Sequence, residues 1–160
     1  EDRKERGLFL DMTIRQNIAV LNLDYVAPRG IVQYGTERRL AQQYVDTLNI
    51  RCSGVEQSMS DLSGGNQQKA LIGKLLATNP KILIVDEPTR GIDVGAKSEI
   101  HALLRQWADA GIGVIMISSE LPEVLGMCDR VLVIHEGSSR GVLSGSEIEE
   151  ETIVRLASGL

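Results

Sequence analysis

Two adjacent carboxylates, Asp86 and Glu87, follow the short apolar run ILIV at residues 82–85. A continuous β-branched run of this kind is typical of a strand buried on both faces of a parallel sheet, and ligands of such sheets collect at the carboxyl ends of the strands. An aspartate there can bind Mg²⁺ beside a polyphosphate, and a glutamate beside it can orient and deprotonate an attacking water. Since a solvated acidic turn has the same sequence, the surrounding motifs must decide between the two interpretations.

A second stretch that could do chemistry lies upstream, where Ser63, Gly64 and Gly65 open the segment SGGNQQKALIGKLL. Its apolar periodicity predicts a helix that begins at Ser63 and ends before Pro80. Two consecutive glycines are costly at a helix start, and one reason to keep them is the close approach of a ligand to the backbone. Because free N–H groups at a helix N-terminus bind anions, the segment predicts a phosphate contact.

The elements that would position these residues are of two kinds. Before residue 81 the pattern is mostly helical: a capping box at Thr13–Gln16 begins one helix, Thr36 can cap a second, and Ser63 begins a third. From residue 81 onward, short apolar runs alternate with helical stripes, which predicts an α/β layer fold.

Three apolar runs, at 82–85, 113–118 and 130–134, predict parallel strands of one sheet, with the first strand between two neighbours. A further strand candidate at 140–144 precedes a helix that Ser146 could cap. We also expect one edge or face of the sheet to be left open, for the reason given below.

Composition excludes several classes of protein. The chain has 160 residues, of which 42% are hydrophobic, and its formal net charge is -5. This suits one globular domain, and the acidic balance argues against a nucleic-acid partner. No apolar run could span a bilayer and the first residues are not a signal peptide, so a soluble chain is expected. Cys52 and Cys128 lack metal or redox spacing and are expected to be reduced thiols.

Taken in order, the motifs LSGGNQQK, ILIVDEPT, GID and ISSELPEVL resemble those of the ABC ATPase family. They are most similar to the second nucleotide-binding domain of bacterial ribose/galactose/xylose-type sugar importers, over nearly the whole chain. The resemblance implies a P-loop NTPase-like α/β fold with a parallel sheet of the ABC ATPase type, truncated. It also implies a helical signature subdomain at about residues 8–80 and a Walker B α/β lobe at 81–160.

The resemblance also implies roles for individual residues. Glu87 would be the catalytic base, Asp86 would hold Mg²⁺ through water, and Asp93 would belong to the D-loop. The signature motif would bind the γ-phosphate of an ATP held by a second nucleotide-binding domain, and its residues are Ser63, Gly64 and Gly65, with Gln67 nearby.

One family motif is missing. The only Gly-Lys pair, Gly73-Lys74, has Gln68 where the first glycine of a phosphate-binding P-loop would stand and Leu75 where Ser or Thr would stand. Since the resemblance begins after the P-loop, we expect the chain to be part of a longer protein. ATP and Mg²⁺ are not expected to bind tightly to it alone, and the absent P-loop strand would leave the sheet open.

Two positions depart from the family pattern. Glu1 stands at the Q-loop position, where Gln is usual, and Ser119 stands at the switch position, where His is usual. Both changes remove γ-phosphate sensors, so the site built on this Walker B motif is expected to be the weaker hydrolytic site. The alternative is that importers of this type work adequately with serine at the switch position.

The function implied is that of an ATPase subunit energising sugar import, peripheral on the cytoplasmic side of the inner membrane. Its partners would be a second nucleotide-binding domain in the same polypeptide, transmembrane permease subunits and, indirectly, a periplasmic sugar-binding protein. Two alternatives stay open: a soluble ABC ATPase acting on nucleic acid or ribosomes, and an interaction fragment without activity. The acidic net charge and the residues of the motifs GNQQK and ISSELPEV favour the importer. The sequence does not identify the sugar.

Overall fold

A computed structural model describes residues 7–160 of the chain. The regular elements before residue 82 are helices, and from residue 82 onward strands and helices are interspersed. In chain order they are α1 (Ile14–Ala19), α2 (Leu23–Val26), α3 (Tyr34–Thr47), α4 (Gly64–Leu76), β1 (Ile82–Asp86), α5 (Val94–Asp109), β2 (Gly113–Ile117), α6 (Leu121–Met127), β3 (Arg130–His135), β4 (Ser138–Ser144) and α7 (Glu150–Ala157). The chain forms two compact units that divide after Ile115.

Helix α1 begins with the capping box that the sequence predicts. The Thr13 hydroxyl accepts from the N–H of Gln16, and the Gln16 side chain accepts in return from the N–H of Thr13. The helix places Ile14 and Ile18 in the core, fully buried. Each capping residue of this kind stabilises a helix start by about 1 kcal/mol, which matters for a helix of only six residues.

Helix α3 begins earlier than predicted. Its N-cap is Gln33, and Thr36 lies inside the first turn. The Gln33 carbonyl already accepts from the N–H of Glu37, so the first helical turn is complete before Thr36 could cap it. Ala41 and Val45 of α3, and Leu48 directly after it, lie inside the core.

Helix α4 has Ser63 as its N-cap, as predicted, and ends at Leu76. Beyond that end, Asn79 adopts a left-handed conformation with φ 52°, a common way to stop a helix before a proline. Helix α4 packs on α1 and α3, and Ile72 is its most deeply buried large side chain.

Strand β1 pairs with β2, and the N–H of Gly113 donates to the carbonyl of Lys81 at 3.0 Å. Because these residues stand at the starts of the two strands, the strands run parallel. The structure corrects one expectation: among the described residues β1 pairs with β2 alone, so it does not lie between two neighbours.

The sequence predicts that β1 is buried on both faces, and the structure corrects this. Leu83 and Val85 are buried, whereas Ile82 is 61% and Ile84 60% exposed, and Ile115 of β2 is exposed as well. Apolar sequence alone cannot tell how many faces a chain covers, and here only one face is covered. The exposed side agrees with the expectation that one sheet face would be left open.

In the second unit, β3 pairs antiparallel with β4, which corrects the prediction that all three apolar runs share one parallel sheet. Glu136 and Gly137 join the two strands, and their φ values of 48° and 74° are both left-handed. A two-residue turn of that kind favours a hairpin, so β3 takes its partner from the next segment of chain.

Helix α7 covers one face of this hairpin and buries Ile153 against Val131, Val133 and Leu143. The helix start predicted at Ser146 was wrong. A capping box of Ser144 and Glu147 closes a short 3-10 turn there, and α7 itself begins only at Glu150. Among the described residues, none of the helices has the length and apolar content needed to cross a lipid bilayer.

Candidate functional site

The two carboxylates lie where the parallel sheet ends. Asp86 is the last residue of β1 and is exposed, and Glu87 follows in a left-handed conformation with φ 49°. For a residue other than glycine that conformation costs about 1–2 kcal/mol. The N–H of Arg90 donates to the Glu87 carbonyl at 3.2 Å and closes the turn. Strain of this kind at a sheet edge is a reason to suspect that the side chain is placed for chemistry.

The turn after β1 leads directly into α5 through Asp93. Asp93 is the N-cap of α5, and its carboxylate accepts from the N–H of Ala96 at 2.9 Å. Gly91, with φ 69°, lets the chain reverse between strand and helix. The contact that the structure gives Asp93 is therefore a capping one, and its predicted D-loop role stays a prediction.

The start of α4 keeps the backbone features of an anion site. Ser63 is extended, with φ -61° and ψ 157°, and its hydroxyl makes no capping bond to the backbone. Instead it accepts from the Asn66 side-chain amide at 2.9 Å. The N–H groups of the first turn, including those of Gly64 and Gly65, therefore receive no cap from Ser63, as an anion site requires.

Gly65 is also required by packing, which the sequence did not reveal. A Cβ atom added at Gly65 would lie 2.6 Å from the Cβ of Ala96 on the first turn of α5. Carbon atoms make favourable contacts at about 3.5–4.0 Å, so even a methyl group does not fit. The side chain of any replacement would point toward α5.

Gln67, predicted to lie near the nucleotide, is buried in this structure. Its side-chain amide donates to the carbonyl of Met59 at 3.1 Å. That hydrogen bond ties α4 to the segment before it, which is a structural contact. The assignment of Gln67 to nucleotide binding stays a prediction.

An ion bridge between α4 and α5 was not predicted. Lys69 of α4 contacts the carboxylate of Glu99 of α5 at 2.5 Å and also donates to the carbonyl of Asn49. Arg51 lies 3.7 Å from the same carboxylate. The hydrogen bond from Lys69 holds the pKa of Glu99 below its usual value. Because the partners are 30 positions apart, no local sequence pattern indicates the pairing.

The remaining predicted positions are not brought together by what the structure describes. Glu1, at the Q-loop position, lies outside the described residues. Ser119, at the switch position, is exposed and belongs to the second compact unit, between β2 and α6.

A magnesium site can be tested against the donor groups present. Among residues 7–160, no three His, Cys, Asp or Glu side chains cluster closely enough to hold a metal ion. Asp86 offers one exposed carboxylate at the end of β1. Mg²⁺ usually takes one or two carboxylates and completes its shell with water and substrate phosphates. Asp86 therefore fits as one contact to Mg²⁺ brought with a nucleotide, and not as a site by itself.

Comparison with known proteins agrees with this geometry. Residues 3–90 match the sequence model of the family described as ABC transporter. The ribose import ATP-binding protein RbsA 2 of Rhizobium meliloti (strain 1021) is 57% identical over 160 residues, which are 100% of this chain and 31% of that protein. A putative ribose/galactose/methyl galactoside import ATP-binding protein of Hahella chejuensis (strain KCTC 2396) is 52% identical over 159 residues, 98% of this chain and 31% of that protein. The chain thus spans about a third of the length of these curated relatives.

Solved structures share the fold. The dimeric ATP-binding cassette MJ0796, in a post-hydrolysis state bound to ADP and Pi, superposes with a TM-score of 0.73 at 22% identity, over 88% of this chain and 60% of that chain. An inward-facing putative metal-chelate type ABC transporter gives a TM-score of 0.79 at 18% identity, over 94% and 59% of the two chains. These likenesses confirm the predicted fold class, an α/β fold of the ABC ATPase type.

Proposed function

The chain belongs to the ABC transporter family, and from that premise we propose that it is part of an ATP-hydrolysing subunit that energises the import of a sugar. The observation that carries the proposal is that one chain contains both the Asp86-Glu87 strand end and a start of α4 without a side-chain cap. High identity to ribose and galactose import ATP-binding proteins supports a sugar as the cargo.

The strand end supplies the hydrolytic chemistry in this proposal. Asp86, at the end of β1, binds Mg²⁺ through water when ATP is held by the rest of the subunit. Glu87 accepts the proton of the attacking water as the new oxygen–phosphorus bond forms. The left-handed backbone at Glu87 ends the strand, and the hydrogen bond from the Arg90 N–H to the Glu87 carbonyl stabilises that turn.

The start of α4 serves a different ATP molecule. The N–H groups at Gly64 and Gly65, with the Ser63 hydroxyl, meet the γ-phosphate of ATP held by a second nucleotide-binding domain in the same polypeptide. The dimeric arrangement of the MJ0796 cassettes supports such pairing. Transmembrane permease subunits and, indirectly, a periplasmic sugar-binding protein complete the assembly, with this subunit peripheral at the cytoplasmic face of the membrane.

The two composite ATP sites are not equivalent in this proposal. Glu1 and Ser119 replace the amide and imidazole that usually sense the γ-phosphate, so the site that contains Glu87 turns over more slowly than its partner. The 160 residues alone hydrolyse no ATP, because a phosphate-cradling P-loop is absent from their sequence.

The experiment compares the complete subunit with the 160-residue chain. Titration with labelled ATP and a phosphate-release assay should give binding and turnover for the complete subunit and neither for the chain alone. Sugar uptake by cells that lack the subunit should return when the complete subunit is expressed. ATP hydrolysis by the 160-residue chain would contradict the proposal that the rest of the subunit is needed to hold ATP.

A further inference from the structure

Helices α4 and α5 are joined at two points that lie one helical turn apart. Gly65 and Lys69 are four residues apart on α4, so they share a face. Ala96 and Glu99 are three residues apart on α5 and also share a face. Gly65 meets Ala96 in close contact, and Lys69 meets Glu99 in an ion pair of 2.5 Å. The second contact, one turn along, restricts rotation of α4 against α5 more than the first contact does alone.

The charges of the second contact are unequally exposed. The Lys69 side chain is 4% exposed and the Glu99 side chain 46% exposed. The ammonium of Lys69 has a further hydrogen bond to the Asn49 carbonyl. Without the Glu99 carboxylate, a buried charge would keep only a neutral acceptor, which is unfavourable. Arg51, at 3.7 Å and with an 84% exposed side chain, adds little to the pair.

A cavity lies beside the Lys69–Glu99 ion pair. Its volume is about 890 Å³, and it is lined by Lys69 and Glu99 together with Arg51 and, from α5, Leu103 and Gln106. This space lies between the loop after α3 and α5, and Lys69 contacts both sides of it, through the Asn49 carbonyl and the Glu99 carboxylate.

We infer that Glu99 is a positioning residue for the phosphate-binding start of α4. By accepting from Lys69 it restricts the rotation of α4 on α5, and it thereby sets the direction of the N–H groups at Gly64 and Gly65. The Ser63 start of α4 and the Asp93 start of α5 are held side by side by the same two contacts. This inference rests on the proposed function of α4.

The test replaces Glu99→Gln in the complete subunit, with Glu56→Gln as the control for loss of an ion pair elsewhere. Glu56 is also a half-exposed carboxylate, with a 53% exposed side chain, paired at 2.9 Å with Arg15, a largely buried cation. Arg15 also pairs with Glu37 of α3, so it keeps one carboxylate partner in the control variant. Its pair lies between α1 and the loop before α4, and does not reach α5. Two readouts are measured for each variant: hydrogen–deuterium exchange at residues 67–69, whose N–H groups are the first in α4 with helical acceptors, and kcat and KM for ATP.

We expect Glu99→Gln to speed exchange at residues 67–69 on the order of tenfold and to lower kcat with KM for ATP unchanged. Glu56→Gln should leave both readouts at the wild-type value even where it lowers Tm. Equal effects of the two variants on exchange and kcat would overturn the inference. If the wild-type subunit hydrolyses no ATP, the proposed function fails, while the exchange measurement still tests the role of Glu99.

A second variant separates positioning from simple stability. Lys69→Met combined with Glu99→Gln removes both charges, so no unpaired charge stays buried. Tm should recover relative to Glu99→Gln alone, whereas exchange at residues 67–69 stays fast and kcat stays low, because the link that restricts rotation is gone. Recovery of kcat together with Tm would reduce Glu99 to a structural residue and overturn the inference.

Discussion

Replacing Gly65→Ala is the most direct perturbation of the α4 start. The added methyl would lie 2.6 Å from the Ala96 Cβ, and a normal carbon contact needs roughly 1 Å more. Overpacking of this kind costs about 1–3 kcal/mol, while removing a helical glycine gains about 0.5–1 kcal/mol. We therefore expect a net loss of about 0.5–2 kcal/mol, seen as a fall in Tm of about 1–8 °C for a domain of this size.

Ala96→Gly supplies the space that the new methyl needs. In the double variant Gly65→Ala/Ala96→Gly, one helix gains a methyl group and the other loses one, so the two glycine effects offset each other. Stability should return to within about 0.5 kcal/mol of the wild type. Ala96→Gly alone is the control, with a loss of about 0.5–1 kcal/mol from glycine in α5.

The assay pairs thermal unfolding with ATP turnover of the complete subunit. Since a side chain at Gly65 points at α5 and leaves the N–H group in place, turnover should fall in the single variant and return with stability in the double variant. An unchanged Tm for Gly65→Ala would refute the packing argument. A stable double variant with low turnover would show that phosphate approach, and not packing, demands glycine at position 65.

Three further predictions follow from the same geometry. Glu87→Gln in the complete subunit should leave ATP binding intact and lower total hydrolysis only modestly; near-complete loss of turnover would contradict the weaker-site proposal. The exposed side chains of Ile82 and Ile84 favour self-association, so the 160-residue chain should sediment above monomer mass and Ile84→Thr should shift it toward monomer, whereas monodisperse monomer from the unaltered chain would count against this. Lys69 lowers the pKa of Glu99, against the opposing effect of burial, with Arg51 adding to the shift and Asp93 reducing it. The ion pair therefore stabilises the fold fully above the ordinary carboxyl pKa, and this stabilisation is lost as pH falls through the lowered pKa of the folded state. The difference in Tm between the wild type and Glu99→Gln should therefore shrink in acid, and a difference that persists at low pH would exclude the ion pair as its cause.

Local signals predicted local structure well. The capping box of Thr13 and Gln16 begins α1, and Ser63 begins α4, because each depends on residues within one turn. The start of α3 lies at Gln33 and not at the predicted Thr36, because Gln33 begins the helix without a side-chain cap and residue type does not say which carbonyl accepts first.

Pairing and burial were harder to predict. An apolar run such as that of β1 does not show whether one or both faces of the strand are buried. The run of β3 does not show which strand it pairs with, because that depends on the left-handed turn at Glu136. The Lys69–Glu99 bridge joins segments 30 positions apart, so only the folded chain brings it into view. Within the site, the residue types of the strand end could be read from the sequence, but the support of the α4 start by α5 could not.

Gly65 has two roles, one in packing and one in the proposed phosphate contact. Its missing side chain lets α4 approach α5 at Ala96, and its N–H group belongs to the turn proposed to meet phosphate. Asp93, as the N-cap of α5, fixes the start of the helix on which Gly65 rests. A change in the turn between Glu87 and Asp93 would therefore move the support of α4 and, through it, the donors at Ser63 and Gly64. By this route the end of β1, where hydrolysis is proposed, is mechanically connected to a motif proposed to act on a different ATP molecule.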